Sequence, residues 1–106
     1  MVGGAELFVV IANWPAERAA HWTTLLQARA IENQAYVIGV NRCGSDLEHH
    51  YNGQSMIIGP KGQILAQADE RPCVMGAELS RDALKAWREE FPAIQDASGK
   101  YIVAEE

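Results

Sequence analysis

The chain has 106 residues, 48% of them apolar and 22% charged, with a formal net charge of −5. That is the length and composition of one ordinary globular domain, and it excludes a long disordered segment or a membrane span, since the longest apolar run, residues 7–12, is far shorter than a bilayer. The nine Lys and Arg are scattered through an acidic chain, which excludes nonspecific nucleic-acid binding.

Met1-Val2-Gly3-Gly4 carries no basic stretch of the kind that opens a secretory signal. The first element is residues 6–12, Glu-Leu-Phe-Val-Val-Ile-Ala. A continuous apolar run with β-branched content predicts a strand covered on both faces, as in the parallel part of an α/β sheet. Asn13-Trp14-Pro15 ends it, because the residue before a proline is steered away from helical angles, while Pro15 suits the first turn of a helix. The spacing then predicts a helix over about 16–33. Trp22, Leu25, Leu26 and Ile31 fall near one face, and five alanines keep helical propensity high. Arg29 and Glu32, three apart, are expected to form a structural ion pair.

Residues 36–40 predict a second buried strand, ending at Asn41-Arg42-Cys43-Gly44. Strand, helix, strand implies a crossover between parallel neighbours. Residues 45–53 are polar and read as a surface loop. Residues 55–58 and 63–68 predict a hairpin around Gly59-Pro60-Lys61-Gly62, whose Gly and Pro supply the backbone angles of a tight turn. Residues 73–79 predict a further strand. Ser80 is placed to cap a final helix from Arg81 to about Glu90, with Leu84, Trp87 and Phe91 on its inner face and Pro92 ending it. In the tail, residues 97–106, Tyr101-Ile102-Val103 could add a strand or dock on a partner.

Asn13 and Asn41 are the sharpest positional signal, each just past the carboxyl end of a strand, where α/β sheets bind ligands. Either side chain could instead serve the backbone of its own loop, as Asn commonly does. Cys43 beside Arg42 could be an activated thiolate with His49 or His50 as base, but no nucleophile signature surrounds it, and a free structural thiol is favoured. Cys43 and Cys73 lack CxxC spacing and are expected as free thiols in a reducing, cytoplasmic setting, with a disulfide between them left open. His49-His50 with Asp46 and Glu48 contains metal-ligand types, but adjacent side chains in extended backbone point apart, so a solvated loop is favoured and no metal or cofactor is expected.

The words Ala12-Asn13-Trp14-Pro15, His21-Trp22, Leu25-Leu26, Ala28-Arg29-Ala30-Ile31-Glu32-Asn33-Gln34 and Asn41-Arg42-Cys43-Gly44 occur in that order. With Gly53-Gln54-Ser55, Gly59-Pro60-Lys61-Gly62 and Phe91-Pro92, they closely resemble the carbon–nitrogen hydrolase (nitrilase) superfamily, nearest its omega-amidase-like branch, over about residues 4–96. The resemblance implies an α/β fold: part of an αββα sandwich, a mixed sheet with two main helices packed on one face, in a single partial domain. It also implies hydrolysis of small amides by a Glu–Lys–Cys triad, in which cysteine forms a thioester, glutamate is the base and lysine stabilises the oxyanion.

In that family the triad residues come earlier in the chain than the segment this sequence resembles. Neither Cys43 nor Cys73 occupies the nucleophile's position, so no catalytic residue is assigned within the chain and it is expected to be inactive alone. By resemblance, Asn13, Trp14 and Pro15 belong to the loop beside the nucleophile, with Asn41 close by, and Arg18 and His21 help to bind a substrate carboxylate. The competing reading is a noncatalytic module. In both, exposed sheet surface implies a homo-oligomer or dependence on an N-terminal half of the enzyme, with a small-molecule amide bound only when the site is completed.

Overall fold

A computed structural model describes residues 4–92. The expected tail strand at Tyr101-Ile102-Val103 lies outside the described residues. The first strand, β1, spans Leu7–Ala12 and leads through Pro15 into a 3₁₀ turn, Ala16–Arg18, and then helix α1, Ala19–Asn33. The expected helix over 16–33 therefore begins with one tighter turn. Strand β2, Tyr36–Asn41, pairs parallel to β1 with Leu7 beside Tyr36 and Ala12 beside Asn41. Strands β5, Met56–Ile58, and β6, Ile64–Gln67, add antiparallel neighbours, so the mixed sheet runs β1-β2-β5-β6.

Helix α1 lies on this sheet through Trp22, Leu26 and Ala30, which close over Val37, Met56 and Ile58. Phe8, Val10 and Ala12 of β1 pack against the same cluster. Each large side chain withdrawn from water in this way contributes on the order of 1.5–3 kcal/mol. Gly39 of β2 is the notch that lets the helix approach, because a Cβ there would meet Leu26 and Trp22 side-chain atoms at or inside van der Waals contact. The buried stripe of α1 differs from the expected one. It passes through Trp22, Leu26, Ala30 and Asn33, leaving Leu25 and Ile31 half-exposed on other sides of the helix. The backbone of Gln34 then turns left-handed (φ 46°), its N–H returning to Ala30 and Ile31 carbonyls, and the helix ends.

Two further expectations are corrected. The segment after β2 is not a plain loop: β3, Cys43–Ser45, and β4, His50–Asn52, form a small antiparallel hairpin. Strands of three residues are too short to show alternation, and the turn between them is held by Asp46, whose Oδ1 accepts the backbone N–H groups of Glu48 and His49. Conversely, residues 73–79 form no strand. They run to Ser80 largely exposed, since an extended, β-prone segment becomes a strand only beside a neighbour.

Helix α2, Arg81–Glu90, starts at the expected cap: Ser80 Oγ accepts the Ala83 N–H at 3.0 Å. Leu84 is buried, Trp87 is partly covered by the Lys61 ammonium 4.5 Å from its ring centroid, and Phe91 stays half-exposed. Arg88 ties α2 to the rest, donating to the carbonyls of Gln34 (2.9 Å) and Ala5 (2.6 Å). Tyr36 makes a second tie, its hydroxyl both donating to Ser80 O and accepting from Ser80 N.

Gly39→Ala forces a methyl into the α1–β2 contact and should lower stability by about 1–3 kcal/mol. A urea midpoint equal to that of the parent chain would show that the helix seat has slack.

Candidate functional site

The loop after β1 and the loop between β4 and β5 are joined by one side chain. Asn41, 8% exposed at the end of β2, accepts the Trp14 backbone N–H on Oδ1 at 2.6 Å. Its Nδ2 donates to Trp14 O at 3.1 Å and to Gly53 O at 2.9 Å. Its backbone N–H donates to Ser55 Oγ at 2.9 Å. Both amide donors and the amide oxygen are thus engaged with the backbone, so Asn41 acts as a clamp on the two loops. Asn13 is exposed, so the two asparagines that look alike in sequence have different surroundings.

Trp14 is half-buried, its ring 5.8 Å from that of Trp22 and its indole N–H donating to Arg18 O. The Trp22 indole N–H reaches Gln54 O at 2.9 Å. Gly53 and Gln54 are successive residues in the left-handed region, at φ 68° and 56°. For Gln54 that conformation is strained, and hydrogen bonds hold it: Asn41 on Gly53 O, Trp22 on Gln54 O, and the Gln54 N–H on Asp69 O. These residues were quoted in the resemblance without a role. A glycine just before a short apolar strand is a visible signal for such a turn; the left-handed glutamine beside it leaves none.

Trp14, Arg18 and His21 line one cleft of about 420 Å³ with Ala20, Thr24 and Leu25. Its wall is mainly apolar, with a guanidinium and an imidazole at hand. It runs along sides of α1 other than the one seated on the sheet. Pro15 sets up the turn that carries Arg18, the Arg18 N–H returning to Pro15 O at 3.0 Å. The structure therefore gathers three of the six expected pocket residues in one cleft. Asn41 and Pro15 support it from behind, and Asn13 stands on the exposed strand end. A wider depression of about 800 Å³, edged by Glu6, Arg81, Lys85 and Arg88, lies by the start of β1, at the opposite end of the strand.

The other sequence candidates separate. Cys43 is half-buried and Cys73 exposed, both as free thiols. His49 Nδ1 faces Glu17 at 3.3 Å, while His50 Nε2 faces Glu70 at 3.5 Å, so the neighbouring rings diverge. Among the described residues no group of three or more His, Cys, Asp and Glu is arranged to hold a metal ion. Arg29 and Glu32 form the expected pair, at 2.6 Å on the surface. Among the described residues no helix is long and apolar enough to cross a membrane.

Asp46 is the group whose charge is best supported. The Glu48 and His49 N–H groups, then the Tyr51 hydroxyl at 2.9 Å, hold its carboxyl down to about 2. Arg42, 3.5 Å away and stacked over the Tyr51 ring, adds to this. A carboxyl depressed on folding stabilises the fold fully above the unfolded value near 4 and loses that contribution as pH falls through the folded value. The Glu48 and His49 amide signals should keep their hairpin shifts at about pH 4 and move together as Asp46 protonates near pH 2. Movement already complete at pH 4 would contradict this. Asn41→Leu keeps the volume but strips the clamp, and should cost about 2–4 kcal/mol in urea unfolding with red-shifted tryptophan emission. A loss under about 0.5 kcal/mol would mean the loops hold without it.

Residues 2–89 match the carbon–nitrogen hydrolase family model. The chain is 55% identical over 94 residues to the omega-amidase YafV of Escherichia coli (strain K12), which covers 87% of this chain and 37% of that protein. It is 43% identical over 108 residues to the 2-oxoglutaramate amidase of Paenarthrobacter nicotinovorans, covering 95% of this chain and again 37% of the relative. Among solved structures, a CN-hydrolase superfamily protein from Xanthomonas campestris with an arsenic adduct in its active site superposes with a TM-score of 0.84. That match has 42% identity and covers 94% of this chain and 37% of that one. The NitFhit protein of C. elegans also reaches 0.84, at 32% identity, over 97% of this chain and 27% of its own. The chain thus spans little more than a third of the curated relatives it matches, and it belongs to the carbon–nitrogen hydrolase family.

Proposed function

We propose that this chain supplies the C-terminal part of an omega-amidase-like enzyme that hydrolyses the C–N bond of a small-molecule amide. The observation that carries the reading is the 55% identity to an omega-amidase across 87% of the chain, beside a family match over residues 2–89 that includes the clamped loops and the Trp14–Arg18–His21 cleft. The chemistry belongs to a Cys–Glu–Lys triad outside this chain. The cysteine sulfur attacks the amide carbonyl and ammonia leaves with a proton relayed by the glutamate. Water then cleaves the thioester to give the acid and the free thiol, while lysine steadies the oxyanion in both steps.

The part played by this chain is to shape one wall. Asn41 fixes the loop after β1, Trp14 gives the wall an apolar surface, and Arg18 with His21 offers cationic and hydrogen-bonding groups suited to a substrate carboxylate. Cys43 and Cys73 take no part in bond making. Alone, the chain is inactive.

Ammonia release from the ω-monoamide of a short dicarboxylic acid is the direct test. The isolated chain should give none above background. Turnover that disappears in Cys43→Ala would overturn the reading, because it would place a nucleophile inside the chain.

A further inference from the structure

Charges from two elements meet beside the Trp14 cleft. The 3₁₀ turn carries Glu17 and Arg18 in succession. Arg18 lines the cleft, whose wall holds no acidic residue, and among the described residues no carboxylate lies within 4 Å of its guanidinium. Glu17 is the acid next to it in the chain. Two charges on neighbouring residues lie within one screening length, about 8–10 Å, so an unanswered Glu17 carboxylate offsets the Arg18 charge. A carboxylate ligand would then meet a turn with no net charge. Glu17 is answered, however, by the β3–β4 hairpin: its Oε1 lies 3.3 Å from His49 Nδ1.

The imidazole is set in place by its own hairpin. Asp46 Oδ1 accepts the His49 N–H at 2.7 Å, the Tyr51 hydroxyl donates to Asp46 Oδ2 at 2.9 Å, and the His49 ring meets the Tyr51 ring edge-on with centroids 6.1 Å apart. The turn is set separately, by the Arg18 N–H on Pro15 O and the Trp14 indole N–H on Arg18 O. Two independently fixed backbones therefore bring His49 and Glu17 together, and little ordering is left to oppose the contact.

We infer that His49 is a positioning residue for anion binding in the cleft: acting through Glu17, it holds and neutralises the carboxylate beside Arg18 and leaves the guanidinium to a carboxylate on the ligand. The inference deepens the proposed function and rests on its reading of Arg18 and His21 as a carboxylate site. It gives the hairpin a part in specificity, favouring an amide that also bears an acid over a neutral amide of the same size. His49 and Glu17 are 42% and 68% exposed, so the effect is a few-fold one, as for other solvent-screened pairs.

The test titrates succinamate, which bears one carboxylate and one amide, and succinamide, its neutral counterpart, into the full chain at about pH 5.5, where an imidazole is largely cationic and a carboxylate ionised. Binding is followed by the Arg18 Nε–H and backbone amide signals. The parent should prefer succinamate on the order of fivefold, and His49→Ala should weaken succinamate by about threefold while leaving succinamide unchanged. The discriminating variant adds Glu17→Gln to His49→Ala. It should restore the parent's affinity for succinamate, because the carboxylate that His49 answers is gone, whereas packing lost with the imidazole would not return. Equal succinamate binding by the parent and His49→Ala overturns the inference, and so does a loss that Glu17→Gln fails to restore. A parent that binds the two probes equally, or binds neither, removes the carboxylate-site reading, and the inference falls with it.

Discussion

A single primary amide sets the geometry at the carboxyl end of β1 and β2. Asn41 is buried, and a buried amide without partners costs several times what one hydrogen bond returns, so its three side-chain contacts behave as one unit. They also close a ring. Asn41 holds Trp14, the Trp14 ring leans on Trp22, Trp22 reaches Gln54, and Gly53 returns to Asn41. A chain of contacts can loosen at either end, whereas a ring opens only by breaking two members. The left-handed Gln54 persists because it sits in this ring, and the cleft beside Trp14 keeps its shape for the same reason.

The other end of the sheet is tied by different chemistry. Arg88 gathers carbonyls from the end of α1 and the approach to β1, Tyr36 joins β2 to the cap of α2, and Gln34 Nε2 donates to Phe91 O at 2.7 Å. All of these use backbone carbonyls at or beside helix and strand ends, Ser80 O accepting from the Tyr36 hydroxyl as well as from the Leu84 N–H. The division is mechanical. Side-chain amide and indoles fix the loops beside the Trp14 cleft, and a guanidinium and a phenol anchor the second helix away from them.

Most of the fold was legible because its elements are long enough to have a period and are punctuated. The apolar run of β1, the Pro15 start, the Gly59–Gly62 turn and the Ser80 cap each carry a local physical cause. The β3–β4 hairpin was hidden because its strands are three residues long and its organiser, Asp46, looks like any polar loop residue. Residues 73–79 misled in the opposite way: alternation describes a backbone that can pair, and pairing depends on a neighbour that a local pattern does not contain. At the site, position at a strand end picked out Asn13 and Asn41 equally. Only the packing separates them, because burial and the reach to Gly53 depend on a loop twelve residues further along.

The two margins of the sheet are unlike. At β6 the ladder is interrupted by a register shift between Ile57 and Ile58, and the chain leaves the strand through Asp69 and Arg71, paired at 2.7 Å, toward Pro72. A bulge, charges and a proline are the devices by which natural sheets stop growing. The margin at β1 has none of them: six residues without a charge, a proline or a bulge. Among the described residues the sheet therefore has a polarity, closed on the side of its hairpin and without those devices on the side of its first strand.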